Sequence, residues 1–253
     1  MIKVVIIGGG NVAFHLTNQL LKSNVVSIVQ VYNRSIEKIN YLKSKTSITN
    51  NLNQLLKAEV YIIAVSDNSI SEVSSNIKNP NSLVVHTSGS VSLKDLTNLS
   101  RKGVFYPIQT FSKEKKVNFS KIPICIEATN EKDTLLLEII AKSISNYCIR
   151  INEEQRKNIH VAAVFVNNFV NHLYHIGNEI CTKNNISFEI LKPLIIETAS
   201  KINTLTPFEA QTGPAIRNDT KTIEKHTVLL NKNQQEIYTL LTNSILQFHG
   251  KKL

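Results

Sequence analysis

The chain opens on an apolar run, Ile2 to Ile7 interrupted only by Lys3, that ends abruptly in Gly8-Gly9-Gly10-Asn11-Val12-Ala13. An apolar-periodic segment with Phe14, Leu16, Leu20 and Leu21 follows. Strand, G-x-G-x-x-A and helix in that order constrain the fold more than any other feature, because each small residue meets a separate need. Gly8 permits a tight strand-to-helix turn, Gly10 leaves the backbone open to a pyrophosphate, and Ala13 lets the helix lie close to the sheet. The helix start, at Asn11 and Val12, contributes unpaired N–H groups and a partial positive charge. A second apolar run, Val25 to Tyr32, ends in Asn33-Arg34-Ser35. NAD sites carry an acidic residue about twenty residues past the glycines, on the ribose 2′-hydroxyl. A guanidinium fork beside a hydroxyl suits a 2′-phosphate, which a carboxylate would repel. The expected ligand is therefore NADP(H). The competing reading, a glycine-rich turn that binds nothing, is weakened by the second strand and its basic cap. Lys38, one helical turn on, either assists Arg34 or is plain surface.

Short apolar runs alternate with helical patterns through residue 150. Strands are expected near Ser47–Thr49, Val60–Val65, Leu83–His86, Val104–Tyr106, Ile122–Glu127 and Tyr147–Ile149, with helices at Leu52–Leu56, Ile70–Ile77, Leu93–Leu99 and Leu135–Ile144. Such alternation specifies an α/β fold with a doubly wound, mostly parallel sheet, the later strands extending its far edge. Beyond about Asn152 strand patterns stop. Helical segments run over Glu153–Asn184, Phe188–Leu205, Asp219–Leu230 and Gln234–Phe248, broken at Asn184-Asn185, Thr206-Pro207 and Thr212-Gly213-Pro214. The expected domains are a dinucleotide-binding domain, 1–150, and an all-helical domain, 151–253. No Gly/Ser-rich linker separates them.

The 253 residues can bury a proper core in either arrangement. A formal charge of +10 invites a nucleic-acid reading, but the lysines are scattered and no aromatic–basic interleaving marks a base-stacking surface. Nucleic acid is accordingly not an expected partner. Cys125, Cys148 and Cys181 are far apart and odd in number, with no CxxC and no Cys/His pairing at zinc spacing. Neither a disulfide framework nor a metal site is suggested, and a reducing cytoplasmic setting is expected. The first apolar run is too short for a signal sequence, and no apolar stretch is long enough to span a membrane.

In a doubly wound sheet, ligands sit outside the carboxyl ends of the strands. Three further loops belong there: Val65-Ser66-Asp67-Asn68, His86-Thr87-Ser88-Gly89-Ser90 and Tyr106-Pro107-Ile108-Gln109-Thr110. Val65, Ser66, Asp67 and Ser88 join the expected cofactor contacts. Histidine titrates near neutrality, so His86 can transfer a proton; equally, it can be a strand-end histidine bonded to the backbone. Ser88 and Ser90 either hold a substrate carboxylate or cap the following helix.

From Asn158 to Asn178 the long helical segment contains no Asp, Glu, Lys or Arg. At about 100° per residue, His160, Asn167, Asn171 and Asn178 fall in one stripe, with Tyr174 close by. A neutral polar stripe on a buried helix, as this one is expected to be, fits a cleft wall, or a hydrogen-bonded interface between domains or subunits. Arg217, in Gln211-Thr212-Gly213-Pro214-Ala215-Ile216-Arg217-Asn218-Asp219, either clamps an anionic substrate or pairs with Asp219. Asn218 or Asp219 is the expected cap of the helix that follows.

Gly8–Ala13 with Asn33-Arg34-Ser35 resembles the N-terminal domain shared by pyrroline-5-carboxylate reductases and deazaflavin-dependent NADP reductases, with β-hydroxyacid dehydrogenases more distant. The segments AVSDNSI, HTSGS, FYPIQTF, IHVAAVFVNNF and QTGPAIRND are more similar still to one group. These are bacterial Rossmann-like NADP oxidoreductases with a helical C-terminal domain of unknown function (the 2520 family). The resemblance spans essentially the whole chain, implies the fold strongly, and leaves the substrate unnamed. Aligning the helix asparagine of β-hydroxyacid dehydrogenases with Asn168 puts Val164 where they carry a catalytic lysine. Prephenate dehydrogenases have His-Pro where this chain has Tyr106-Pro107. The proton-transfer candidates are thus His160, His86 and Tyr106, with Asn167 or Asn168 orienting a substrate and Arg217 a possible clamp. The expected function is an NADP(H)-dependent oxidoreductase acting on a small anionic carbonyl, imine or hydroxy compound. Its rival is a non-catalytic NADP(H)-binding sensor or scaffold. A homodimer through the helical domain is expected, since the charge-free segment has more apolar surface than one small domain covers.

Overall fold

The computed structural model describes residues 1–97 and 101–249. Strands β1 (Ile2–Ile7), β2 (Val26–Tyr32), β3 (Ser47–Thr49), β4 (Val60–Ile63), β5 (Leu83–His86), β6 (Arg101–Pro107), β7 (Ile124–Ala128) and β8 (Cys148–Arg150) form one sheet. Their order is β3-β2-β1-β4-β5-β6-β7-β8. Pairing is parallel as far as β6; β7 runs antiparallel to β6, and β8 is parallel to β7. This is a doubly wound, Rossmann-like sheet, and its order reverses between β1 and β4.

The sheet is apolar on both faces because helices and turns cover both. Val4 to Ile7 are fully buried. Since successive side chains alternate, Val4 and Ile6 enter one core with Ile62 and Leu83, while Val5 and Ile7 enter the other with Tyr61, Ile63 and Val84. Helix α1 (Asn11–Leu20) buries Ala13, Leu16 and Leu20. Helices α2 (Ile70–Ser75) and α3 (Glu131–Lys142) complete the α/β part.

Two expected helices shrink to 3-10 turns. At Leu52–Gln54 the Asn51 side chain accepts from the Asn53 N–H, and the chain is extended again by Leu55. At Leu93–Asp95 a capping box between Ser92 and Asp95 closes the turn; the end of that expected helix, at Leu99, lies outside the described residues.

The long helical segment is not one α-helix. Helix α4 (Glu153–Ala163) passes through a π-helical stretch, Val164–Phe169, into α5 (Val170–Lys183). A π turn holds an extra residue, so the stripe drawn at a constant angular step does not run unbroken from His160 to Asn178. The helix is also not buried: Val161, Phe165, Val166 and Phe169 are exposed.

The chain divides into two compact units, Met1–Asn167 and Asn168–Leu253. Helix α4 lies in the first unit, where its Arg156 is bonded to Glu127 on β7 and its Glu153 to Ser92 in the loop after β5. The second unit contains α5, α6 (Lys192–Lys201), α7 (Thr220–Leu229) and α8 (Lys232–His249). The break after α5 falls at Asn184-Asn185, where Asn185 adopts φ 57°, a conformation asparagine tolerates. Asp219 caps α7 by accepting from the Thr222 N–H. Among the described residues no helix is long and apolar enough to cross a membrane.

Candidate active site

The turn after β1 is shaped by contacts that only glycine allows. Gly8 has φ +138°, and a Cβ there would sit 2.1 Å from the Ala64 carbonyl oxygen and 3.4 Å from the Ala13 Cβ. Its N–H donates to Tyr32 O, while the Ala64 N–H donates to Ile7 O, so the turn is clamped between β2 and β4. A Cβ on Gly10, by contrast, would meet nothing within 4 Å. Gly10 is also the N-cap of α1, and no side chain caps that first turn. The turn therefore offers open backbone and the N–H groups of an uncapped helix end, which is what a phosphate requires. A cavity of about 450 Å³ lies over it. Of the expected cofactor contacts, Gly8, Gly10, Asn11, Val12, Asn33, Arg34, Val65 and Ser66 line this cavity. Leu52, Val73, Thr87 and Glu72 line it as well and were not among the expected contacts.

At the basic end, Asn33 donates from Nδ2 to Ser35 O at 2.7 Å. Its side chain fills the space above Gly9, where a Cβ would lie 2.7 Å from Asn33 Cγ. Arg34 is exposed on this turn, and Ser35 begins the next 3-10 helix. Ala13 is buried beneath α1, away from the cavity lining.

The loops after β4 and β5 are bonded to each other. Ser90 Oγ donates to Asp67 Oδ2 at 2.7 Å, and Ser88 Oγ accepts from the N–H groups of Ser90 and Val91. Ser88 and Asp67 thus serve the loop structure rather than the cavity wall. His86 is fully buried, and its Nδ1 accepts from the Ser88 N–H at 3.2 Å. Burial, reinforced by the Arg156 charge, lowers its pKa to about 4 against the pull of Asp67, Asp95 and Glu153. The enclosed ring holds the loop through this bond, and burial favours its neutral form. Of the two expectations for His86, the bond to the backbone is present.

Tyr106 and His160 come together. The phenol oxygen lies 3.0 Å from His160 Nδ1, with the rings edge to face. Burial pushes the Tyr106 pKa up and Cys125 adds to this, while Arg156 pulls it down. The two groups share one hydrogen bond, in which the phenol either donates to a bare Nδ1 or accepts from Nδ1–H according to the imidazole's protonation. The ring fits against the β5 loop because residue 89 is glycine: a Cβ there would be 2.5 Å from His160 Nδ1.

Sequence reasoning missed Arg156 and Glu127. Arg156 is fully buried, and its Nε donates to Glu127 Oε2 at 3.0 Å. The available signal was faint: an arginine one helical turn before His160, in a segment that otherwise reads as a solvated helix start. Asn167 ends the first unit, within the π-helical stretch, and Asn168 begins the second. Arg217 is exposed on the turn before α7, where the Asp219 carboxyl is held below its usual pKa by Thr222 first and by Arg217 only weakly.

An open glycine turn at an uncapped helix start, at the point where the strand order reverses, defines a protein of the Rossmann-like α/β class. Two family models match: "NADP oxidoreductase coenzyme F420-dependent" over residues 3–89, and the domain of unknown function DUF2520 over residues 122–245. A Bacteroides fragilis protein assigned as an NADP oxidoreductase is 39% identical, with TM-score 0.91, over 97% of this chain and 98% of that one. The chain belongs to this family of NADP oxidoreductases, which joins the two domains. Protein TM1727 of Thermotoga maritima shares the fold at 21% identity and TM-score 0.80, over 98% of this chain and all of that one. So does a reductive aminase from Aspergillus terreus, solved with NADPH and ethyl levulinate, at 12% identity and TM-score 0.74, over 99% and 95%. No curated protein matches the chain.

Proposed function

We propose that the protein is an NADP(H)-dependent oxidoreductase that reduces, or forms by the reverse reaction, a small anionic carbonyl, imine or hydroxy compound in the cytoplasm. The observation that carries this reading is the open cradle at Gly10, beneath a cavity whose far end bears Arg34. The uncapped first turn of α1 would take the diphosphate, and Arg34 with the Ser35 hydroxyl the 2′-phosphate. Leu52, Val65 and Val73 supply apolar wall for the adenine end. When bound, the dinucleotide supplies hydride chemistry.

The protein's own contribution is a proton. As an imidazolium, His160 would give it from Nε2 and keep its Nδ1–H donated to the Tyr106 oxygen. The NADPH-bound reductive aminase of the same fold makes an imine or carbonyl substrate a reasonable class. We further propose that the working form is a dimer of two copies of the chain.

Calorimetry with NADPH and NADH tests the cofactor assignment. NADPH should bind much more tightly than NADH, and Arg34→Ala should remove most of that preference, about tenfold or more given the strength of charge-assisted phosphate contacts. Heat with neither dinucleotide overturns the reading. NADPH consumption with a panel of keto acids and cyclic imines tests catalysis. Binding without turnover of any panel member favours the sensor or scaffold, and turnover that survives in His160→Ala removes His160 from the proton step.

A further inference from the structure

Arg156 heads the largest fully buried side chains of the protein, ahead of Phe105 and the core isoleucines and leucines. A guanidinium cannot shed its charge by losing a proton, so enclosing one is costly unless its donors are met. Here they converge on one loop. Nη1 donates to Val91 O at 2.7 Å and to Gly89 O at 3.1 Å, with Ser88 O at 3.4 Å, while Nε takes Glu127. Nη2 has no hydrogen-bond partner among the described residues.

These partners surround the proton-transfer pair. Gly89, whose carbonyl Arg156 holds, is the residue whose missing Cβ makes room for the His160 ring. Arg156 precedes His160 on α4 by one helical turn, so both side chains leave the same face. Glu127 pairs with Val104 on β6, the strand that carries Tyr106. A second tie runs parallel to the first: Ser92 Oγ donates to Glu153 Oε2 at 2.8 Å, joining the end of the same loop to the first turn of α4. A hydrophobic residue of similar volume would fill the space at 156 without the desolvation cost. What it could not do is hold several carbonyls of an irregular loop in one arrangement.

We propose that Arg156 is a positioning residue for the Tyr106–His160 pair: it draws the Ser88–Val91 loop onto α4, seating Gly89 against the imidazole and His160 Nδ1 on the Tyr106 hydroxyl. The proposal rests on the reading that this pair handles the proton. The Arg156 charge serves geometry, and its fork shape is the operative property. Lysine, a point donor, cannot replace it.

The test uses the full-length protein labelled with ¹⁵N-histidine, comparing wild type with Arg156→Lys, Arg156→Met and Glu127→Gln. The His160 ring resonances are assigned by their loss in His160→Gln, and Tyr106→Phe supplies the spectrum of the broken pair. In both Arg156 variants the His160 signals should move toward the Tyr106→Phe positions, and in Glu127→Gln part of the way. NADPH affinity should stay within about threefold of wild type, because the phosphate cradle is untouched. For any member of the keto-acid and cyclic-imine panel that is turned over, kcat should fall about tenfold to a hundredfold, as expected of a displacement near 1 Å. His160 signals at their wild-type positions in folded Arg156→Met overturn the proposal. So does unfolding of all three variants, which assigns Arg156 to stability alone. Failure of the underlying reading looks different: turnover then survives in His160→Ala, whatever Arg156 does.

Discussion

His86 stands at the strand end the sequence indicates, and its burial there ties the fold's stability to pH. It ends β5, is fully buried, and has its pKa lowered to about 4 by burial first and the Arg156 charge second. The unfolded chain therefore binds a proton near pH 6.5 that the folded chain refuses until about pH 4. Across that window the unfolded state carries more protons, so stability falls as the pH falls, and this contribution is exhausted below about pH 4. The total is on the order of 3 kcal/mol. Asparagine at this position keeps an acceptor for the Ser88 N–H and removes the titration. Urea midpoints measured between pH 7 and pH 4 should fall less steeply for His86→Asn than for wild type; equal slopes would refute the assignment. The histidine was legible as a residue at the right strand end. Its role was not, because burial and the neighbouring Arg156 are properties of the tertiary structure. Arg156 itself was invisible for the same reason: a buried arginine and a solvated one look identical in a helix start rich in Glu, Gln, Lys and Asn.

At the scale of elements, the turn between β1 and α1 separates two uses of glycine. Gly8 is required by the fold, since its φ of +138° and the nearby Ala64 carbonyl exclude a Cβ. Gly10 is open, in an extended conformation any residue adopts. Gly8→Ala should destabilise the protein by several kcal/mol, roughly 3 or more, from strain and collision together. Gly10→Ala should stay within about 1 kcal/mol of wild type and yet weaken NADPH binding at least tenfold, because its Cβ occupies the phosphate cradle. Thermal melts and dinucleotide titrations on the two variants check both halves. A Gly10→Ala protein that binds NADPH normally would remove the cradle from the site.

This turn was fully readable because its spacing answers local steric rules. The strands were readable for a related reason: β1 is buried on both faces and shows as a continuous apolar run. The short helices failed where local side-chain caps at Asn51 and Ser92 closed a single turn instead of a helix. The π-helical stretch failed because no compositional rule marks an extra residue in Val164–Phe169, where neighbouring residues are ordinary helix formers or β-branched.

For the molecule as a whole, the unresolved question in the sequence was what covers the apolar residues of the helical part. In the second unit, α6 and α7 bury none of their own residues, and Leu194, Ile196, Val228, Leu229, Leu240 and Phe248 are all at least 60% exposed. Monomeric proteins scatter exposed apolar residues singly; a helical unit that exposes them on several helices is one that expects a partner. A second copy of the chain is the economical partner, since a twofold interface lets one patch cover itself. The formal charge of +10 does not forbid it, because long-range repulsion between two like-charged copies is largely screened beyond about 8 Å at physiological salt, while apolar burial is not. Light scattering should therefore report twice the chain mass of 28.4 kDa, little changed between low and high salt. Val228→Asp with Leu229→Glu should shift the mass to that of one chain. The double variant should still bind NADPH, because the residues lining the cavity all belong to the first unit. A wild-type protein that scatters as a single chain at micromolar concentration would leave those surfaces to some other partner and end the dimer proposal.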